Sequence, residues 1–306
     1  MVKATSKTPR VISAVVTPLQ DDESLHVEGL AAHLEEQWSA GIHGLLVAGS
    51  MGEMQLLSDR TYAELIEHSV RISAGRGEIV VGVGDTSLVR TLERIRFVNK
   101  FPVDGVVVLT PYFTSFKPEE LVDYYRALAD ASRHPLYLYD LPCVAKMKLD
   151  FETVQHAAEH PNIHGIKASC EAQWTKELFR RIGERFRVII AQPRLMDCLL
   201  REGILEHLDG IFAVAPAWTM ALVRAAQSGD WRRAAAYQKR LNTLLDVVLE
   251  QEVLACVTAI FNARGIPGKI GAAPMRQLDA TGRDRLLGAP VVQELLRGEP
   301  AVQMAS

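Results

Sequence analysis

The sequence GVVVLT at residues 105–110 is a short run of apolar, mostly β-branched residues that ends where a polar loop begins. Helix-type periodicity follows over residues 118–132, and a second apolar run, PLYLYD, occupies residues 135–140. Continuous apolar runs of this kind are typical of strands buried on both faces, as in parallel sheets. This stretch therefore predicts a strand, a crossover helix and a parallel neighbouring strand.

The same unit recurs along the chain, and each strand starts roughly 20–35 residues after the last, the length that a strand, a helix and two loops require. The predicted strands lie at residues 11–16, 44–49, 79–84, 105–110, 135–140, 164–169, 188–192 and 210–215. Eight βα units predict an α/β protein with a (β/α)8 TIM barrel. An open, doubly wound sheet is the alternative, because the sequence does not show whether the sheet closes.

The 306 residues divide into two predicted domains. Residues 1–228 form the barrel with a short N-terminal arm. Residues 229–306 show only helical patterns, with helices at 231–249 and 252–263 and a short final pair near Asp284 and Val291. Without a strand of their own, these helices are expected to pack on the barrel.

Composition excludes several classes of function. The net charge of −3 argues against nucleic acid and anionic membranes as partners, and the Arg-rich stretches at residues 90–96 and 180–181 have the helical spacing of solvated faces. The four cysteines lie far apart, as expected of free thiols in a reducing cytoplasm, and no apolar stretch of about 18 residues suggests a membrane span. The pattern His156-Ala-Ala-Glu159-His160 formally matches a zinc motif, but no further ligand is apparent, so no metal site is predicted.

In a barrel of this kind, function lies at the carboxyl ends of the strands and in the loops that follow them. One charged residue, Lys167, lies within the apolar run HGIKAS at residues 164–169, and strand alternation places it on the face opposite Ile166, toward the lumen. Burial favours the neutral form of an amine, and a neutral amine can attack a ketone to form a Schiff base. The alternative is a structural lysine that reaches the strand end or pairs with a carboxylate.

Tyr139 favours the catalytic interpretation, because it ends the strand that precedes the lysine strand in a sequential barrel. Its phenol is expected to reach a lysine-bound substrate and to move protons. The turn GSMGE at residues 49–53, called the glycine turn below, follows the second strand. Its backbone N–H groups and the Ser50 hydroxyl suit a carboxylate, although a glycine-rich turn alone is a weak signal. Ser50 is also a candidate catalytic residue, because its hydroxyl can relay a proton.

Together, the glycine turn, LTPYF at residues 109–113, YDLP at 139–142 and GIK at 165–167 resemble the dihydrodipicolinate synthase/N-acetylneuraminate lyase family over nearly the whole chain. The resemblance implies a class I aldolase in which pyruvate forms a Schiff base with Lys167. It makes Tyr139 the general acid/base, and Ser50, Gly49 and the Met51 amide the site for the pyruvate carboxylate. It further implies a homo-oligomer, a dimer or commonly a tetramer, without metal or organic cofactor.

Departures from the family pattern bear on the substrate. Met51 replaces the second hydroxyl residue of the turn, and Phe113 replaces a tyrosine that completes a proton relay in the synthases. Val144 stands where synthases place an arginine that holds the carboxylate of the aldehyde substrate. Gln192, Pro193 and Arg194 replace the acidic pair of the sialic acid lyases.

Three further residues are assigned from the same comparison. The Arg194 guanidinium is a candidate for binding an anionic or polyhydroxy tail, with a solvated loop contact as the alternative. Asp140 replaces the asparagine usual in the family and is expected to brace a loop. Lys146 replaces a glycine found in many relatives and is read as a surface loop lysine.

The predicted function is therefore a class I carbon–carbon lyase that cleaves or forms a 2-oxo acid of the 2-keto-3-deoxy sugar acid kind. Its partners are pyruvate and an aldehyde. The alternatives are a dihydrodipicolinate synthase-like condensing enzyme or a 2-oxo acid dehydratase that uses the same lysine. A different class, a non-catalytic barrel that binds a 2-oxo acid, is suggested by Phe113 and Met51.

Overall fold

A computed structural model describes residues 8–298, in which eight parallel strands close into a barrel. The strands are β1 (Arg10–Ala14), β2 (Gly44–Val47), β3 (Glu78–Gly82), β4 (Gly105–Leu109), β5 (Leu136–Asp140), β6 (Ile163–Ala168), β7 (Arg187–Ile190) and β8 (Glu206–Asp209). Each strand pairs with its sequence neighbour, and β8 pairs with β1. The predicted TIM barrel is confirmed, and the open sheet is excluded by the β1–β8 ladder.

Helices connect the strands and continue beyond the barrel. They are α1 (Val27–Ala40), α2 (Asp59–Ser73), α3 (Leu88–Val98), α4 (Pro118–Ala131), α5 (Pro142–Ala145), α6 (Phe151–Ala157), α7 (Ala172–Ile182), α8 (Met196–Arg201), α9 (Gly210–Val214), α10 (Pro216–Gln227), α11 (Trp231–Leu249), α12 (Val253–Ala263), α13 (Ala280–Gly288) and α14 (Pro290–Arg297). In residues 8–298, none of these helices has the length and apolar character needed to cross a bilayer.

Seven predicted strands agree with the structure to within two residues at each end, but the eighth was wrong. The apolar run at residues 210–215 is mostly the short helix α9, which Asp209 begins by accepting a hydrogen bond from the Ile211 N–H at 3.1 Å. The true β8 has the polar sequence EHLD at residues 206–209. A search for apolar runs misses such a strand, because Glu206 faces buried arginine rather than hydrocarbon.

The amino end of the lumen is filled by a network of charged side chains. Arg187 on β7 forms ion pairs with Glu78 on β3 and with Glu206 on β8, the latter at 2.6 Å. Arg10 on β1 also pairs with Glu78, at 2.6 Å, and Arg187 donates to the Tyr137 hydroxyl at 3.3 Å. Each buried carboxylate therefore has a cationic partner, which offsets the cost of removing the charges from water.

The chain after α12 returns to the carboxyl end of the barrel. Lys269 forms an antiparallel bridge with Leu19 in the loop after β1. The preceding residues approach α1 closely, since a Cβ atom at Gly29 would lie 2.0 Å from the Pro267 carbonyl oxygen. Helix α11 packs on α10 of the barrel, and the division into two domains stays a prediction. The N-terminal arm before residue 8 and residues after 298 lie outside the described part of the chain.

Candidate active site

Lys167 lies near the carboxyl end of β6, and only 4% of it is exposed. Its ammonium nitrogen lies 3.7 Å from the centroid of the Tyr139 ring and donates a hydrogen bond to the Ser169 hydroxyl at 3.0 Å. No carboxylate within residues 8–298 forms an ion pair with it. The structural alternative raised for this lysine, a partner carboxylate in direct contact, is therefore absent from the described chain.

Tyr139 occupies the β5 position that pairs with Lys167 in the β5–β6 ladder. Side chains at paired positions of neighbouring strands point to the same face, which explains why the ring lies against the ammonium. The phenolic oxygen of Tyr139 lies 3.0 Å from the Ser50 hydroxyl. The structure thus joins three residues from β5, β6 and the loop after β2, as the sequence predicts for Lys167, Tyr139 and Ser50.

The glycine turn is held in a strained conformation. Ala48 and Glu53 both adopt positive φ angles, 52° and 57°, which cost energy for residues with a Cβ atom. Strand β3 approaches the start of the turn so closely that only glycine fits at residue 82, since a Cβ atom there would lie 2.0 Å from the Ala48 carbonyl oxygen. Thr17, after β1, donates to the Gly52 carbonyl at 2.7 Å and fixes the other side of the turn.

Glu53 connects the turn to the returning C-terminal segment. Its fully buried carboxylate accepts hydrogen bonds from the N–H groups of Gly271 at 3.0 Å and Ala272 at 2.9 Å. Burial raises the pKa of this carboxyl, although the two N–H donors favour its ionised form. Hydrogen bonds to charged groups contribute about 1.5–3 kcal/mol each, so the C-terminal segment helps to hold the turn.

The amide N–H groups of Ser50 and Met51 have no acceptor within the described chain, which leaves them available to a ligand. Met51 itself packs against the β8–α9 junction, where its side chain occupies the space that a Cβ atom at Gly210 would need. The turn therefore combines a hydroxyl and free N–H donors beside Tyr139. Such an arrangement suits a carboxylate.

Two polar residues near the lysine were not found from the sequence. Ser169 is the hydrogen-bond partner of Lys167, and Asp209 is the last residue of β8. Burial raises the pKa of the Asp209 carboxyl, and the Lys167 charge partly opposes this shift. Asp209 was missed because the eighth strand was placed too late, although an aspartate before a short apolar helix is a recognisable N-cap signal.

Phe113 and Val144, both predicted to contact substrate, lie on the surface of the isolated chain. Phe113, in the loop after β4, is 90% exposed and has a φ angle of 85°, an unfavourable value for a bulky residue. Val144 is 39% exposed and belongs to α5, which directly follows β5. Both apolar side chains therefore face solvent in the segments that follow β4 and β5, at the carboxyl end of the barrel.

Gln192 and Arg194, after β7, are both engaged with other parts of the chain. The Gln192 amide donates to the Cys170 carbonyl, which joins the loops after β6 and β7. The Arg194 guanidinium pairs with Asp246 on α11 at 2.6 Å, and 43% of its side chain is exposed. An ion pair of this kind is what the loop-contact alternative describes, and a binding role for Arg194 stays a prediction.

Asp140 and Lys146 belong to the loop after β5. Asp140 is fully buried and accepts a hydrogen bond from the Leu149 N–H at 3.1 Å, a contact that ties the far end of this loop to the barrel. Burial raises the pKa of Asp140 to about 6. Lys146 is exposed and ends α5 in a left-handed conformation with a φ angle of 57°.

The described residues contain no group of three or more His, Cys, Asp or Glu side chains that could hold a metal ion. His160, from the motif that formally resembles a zinc site, instead lies 3.0 Å from Asp130. The site offers an enclosed amine, an adjacent phenol and a hydroxyl with free N–H donors. A neutral amine can attack a ketone, and a hydroxyl beside free N–H donors suits a carboxylate.

Comparisons with known proteins agree with the family resemblance of the sequence. Residues 7–289 match the dihydrodipicolinate synthetase family. A 4-hydroxy-tetrahydrodipicolinate synthase from an Exiguobacterium species is 29% identical over 280 residues, which cover 91% of this chain and 96% of that protein. The dihydrodipicolinate synthase structure from Bacteroides thetaiotaomicron is 26% identical with a TM-score of 0.86, over 94% of this chain and 98% of that one.

The Proteus mirabilis N-acetylneuraminate lyase structure has the same fold, with a TM-score of 0.87 and 21% identity over 95% of this chain and 99% of that one. The chain belongs to the dihydrodipicolinate synthetase family, as the sequence resemblance predicts. It is accordingly an enzyme of the carbon–carbon lyase type.

Proposed function

We propose that this protein is a class I lyase that binds pyruvate as a Schiff base on Lys167 and cleaves or forms a 2-keto-3-deoxy sugar acid. One observation carries the proposal. The nitrogen of Lys167 is buried, contacts a hydroxyl and a ring face instead of a carboxylate, and lies against Tyr139, whose hydroxyl reaches Ser50.

The proposed mechanism begins with the substrate carboxylate at the glycine turn. The free N–H groups of Ser50 and Met51 and the Ser50 hydroxyl bind it and present the ketone carbon to Lys167. The neutral amine adds to the ketone, and loss of water gives an iminium ion. Tyr139 and Ser50, whose oxygens are 3.0 Å apart, form the path along which protons enter and leave.

In the cleavage direction, the iminium ion accepts the electron pair of the breaking carbon–carbon bond. Tyr139, which has given its proton to the departing water when the iminium ion formed, takes the proton from the hydroxyl that becomes the aldehyde. The resulting enamine is protonated and hydrolysed to pyruvate, which regenerates the free amine. Condensation follows the same steps in reverse and needs no metal or organic cofactor.

The sugar acid assignment rests on what the distal loops lack. Val144 offers no charge to a second carboxylate, and Phe113 offers no hydroxyl to a proton relay. A second candidate, 4-hydroxy-tetrahydrodipicolinate synthase activity, is favoured by the names of the relatives that match over most of the chain. That reaction condenses pyruvate with aspartate semialdehyde.

The decisive experiment is borohydride reduction of the protein in the presence of pyruvate, followed by peptide mass mapping. We expect a stable pyruvate adduct on the peptide that contains Lys167. If a family member used as the positive control is labelled and this protein is not, the Schiff-base function is wrong and the non-catalytic alternative is favoured.

A substrate panel separates the two candidate reactions. We expect pyruvate release from 2-keto-3-deoxy acids to exceed condensation with aspartate semialdehyde. The opposite ratio would assign the chain to the synthases despite Phe113 and Val144.

Assembly and location complete the proposal. The proposed assembly is a homo-oligomer, a dimer or tetramer, in which a contact between subunits covers the 90% exposed Phe113 ring. Sedimentation analysis tests this by comparing the oligomeric state of wild type with that of Phe113→Ser. A cytoplasmic location is supported by four free cysteines.

A further inference from the structure

Ser169 is held in a fixed position directly above the lysine. It lies two residues after Lys167, so strand alternation places both side chains on the lumen face. Its backbone N–H donates to the Asp140 carbonyl at 2.9 Å, which extends the β5–β6 ladder one residue beyond β6. The hydroxyl is therefore carried by a rigid strand end instead of a loop.

Ser169 is the only residue of the described chain whose hydroxyl forms a hydrogen bond with the lysine nitrogen, at 3.0 Å. Tyr139 contacts the same nitrogen with its ring face, 3.7 Å from the centroid. Its hydroxyl lies in the ring plane and is bonded to Ser50. The two hydroxyl groups thus have different partners. The Ser169 hydroxyl contacts the Lys167 nitrogen, and the Tyr139 hydroxyl contacts Ser50 in the glycine turn.

Exposure places Ser169 on the side from which substrate enters. Lys167 is 4% exposed, whereas Ser169 is partly exposed. A ketone that approaches the nitrogen from the barrel mouth would therefore meet the serine hydroxyl beside it. Its carbonyl oxygen would then lie within hydrogen-bond reach of Ser169 as the new bond forms.

We propose that Ser169 is a catalytic residue that carries a proton from the Lys167 nitrogen to the substrate oxygen during carbinolamine formation. The inference rests on the Schiff-base function proposed above. The neutral amine forms the N–C bond, and the π electrons of the carbonyl move onto oxygen, which leaves a positive nitrogen and a negative oxygen. Ser169 accepts one proton from nitrogen and donates its own hydroxyl proton to oxygen.

This step leaves Ser169 unchanged and needs no other reactant. Direct transfer between the two atoms would pass through a strained four-membered ring, whereas the hydroxyl bridge makes a six-membered one. A positioned proton-transfer group contributes typically about 10²–10⁴-fold to rate. The neutral carbinolamine then loses water with the help of Tyr139, as described above.

A purely structural role for Ser169 makes the opposite prediction. If its oxygen only stabilises the resting lysine, its removal takes nothing from the reaction with the ketone. Adduct formation in Ser169→Ala would then be as fast as in wild type or faster.

The test measures the rate of adduct formation on Lys167 at saturating pyruvate, by rapid borohydride quench, across a range of pH. We expect Ser169→Ala to react at least about tenfold more slowly at every pH, with its half-saturating pyruvate concentration unchanged. Ser169→Thr retains a hydroxyl and should recover most of the rate. Ser13→Ala removes a buried strand serine whose hydroxyl has no hydrogen-bond partner within residues 8–298, and it serves as the matched control.

The outcomes separate this inference from the proposed function. Wild type that gives no adduct overturns both. Wild type that reacts, together with Ser169→Ala that reacts equally fast or faster, overturns the proton-transfer role alone. A slow Ser169→Thr variant with normal thermal stability would show that the shape of serine is required instead of its hydroxyl, and it would also overturn the role.

Discussion

Arg187 at the amino end of the barrel and Lys167 near its carboxyl end are two cations enclosed by the same eight strands. Arg187 contacts two carboxylates, those of Glu78 and Glu206, and their charges help to hold its pKa above the ordinary value for arginine. Lys167 contacts a hydroxyl and an aromatic face, and Asp209 acts on it only at longer range. The first cation is neutralised within the protein, and the second contacts no carboxylate within residues 8–298, which is the contrast on which its proposed reactivity rests.

Backbone strain follows the same division. All five non-glycine residues with positive φ angles in residues 8–298 lie in loops after strands, at the carboxyl end of the barrel: Glu23, Ala48, Glu53, Phe113 and Lys146. The amino end combines saturated ion pairs with unstrained backbone. Strained non-glycine backbone in the described residues is therefore confined to the end that carries the candidate site.

The largest expected effect is that of removing the reactive cation. Lys167→Ala should form no pyruvate adduct and lose essentially all turnover, because no other lysine of residues 8–298 contacts Tyr139. Lys100, which lies 5.5 Å from the Phe97 ring at the protein surface, provides a matched control. Lys100→Ala should keep wild-type activity, and turnover retained by Lys167→Ala would remove this lysine from the mechanism.

Removing the neutralised cation should affect stability instead. Arg187→Met leaves Glu78 and Glu206 buried without their shared partner, and breaking a buried ion pair in this way costs about 3–5 kcal/mol. Chemical denaturation measures the loss. Arg180→Ala, which breaks a surface pair with Glu177, should leave the free energy of unfolding unchanged.

A second variant separates charge from packing at the amino end. Adding Glu206→Gln to Arg187→Met should restore part of the stability, because one uncompensated charge is removed. No recovery in the double variant would show that packing of the arginine side chain, and not its charge, holds the network together.

A pH-dependent effect of similar or smaller size is expected at Asp140. Its folded pKa of about 6 exceeds the ordinary 3.8, so the protonated form stabilises the fold below pH 3.8, and this contribution is lost as pH rises through 6. The difference between the two pKa values corresponds to about 3 kcal/mol in the free energy of unfolding. The free energy of unfolding of wild type should therefore fall between pH 4 and pH 7 relative to Asp140→Asn.

The control for this measurement is Asp123→Asn, which replaces an exposed aspartate on α4. Its stability should follow wild type across the same range. Parallel curves for wild type and Asp140→Asn would mean that the buried carboxyl does not titrate in this window.

The smallest expected effect is that of adding a hydroxyl at the strained rim. Phe113→Tyr should raise condensation activity by no more than about fivefold, the equivalent of one hydrogen bond of about 1 kcal/mol, or leave it unchanged. Steady-state condensation assays measure it. A large loss would show that the apolar ring itself has a role that the exposed position in one chain does not reveal.

Much of the fold was readable from local patterns. The strands β1 to β7 are largely apolar because both faces are mostly buried, and seven predicted positions agree with the structure. The eighth was misplaced, since its lumen face carries Glu206, which is stable there only because Arg187 lies across the barrel. A local pattern cannot report a partner that is distant in the sequence.

The candidate site divides in the same way. Lys167, Tyr139 and Ser50 stand out as polar residues at predicted strand ends, and the structure brings them together. Ser169 looked like an ordinary strand-end residue until its contact with the lysine was visible. Arg194 carried a plausible binding chemistry, yet its partner is Asp246 on a helix 52 residues later.

The sequence alone determined the order of strands and helices and the lysine that the lumen encloses, because hydrophobic periodicity and strand alternation are local properties. Tertiary structure decided how each charge is used. Closure of the barrel brought two carboxylates to Arg187 and a hydroxyl and an aromatic ring to Lys167. Whether a buried cation is neutralised or left reactive depends on contacts across the barrel, which only the closed fold creates.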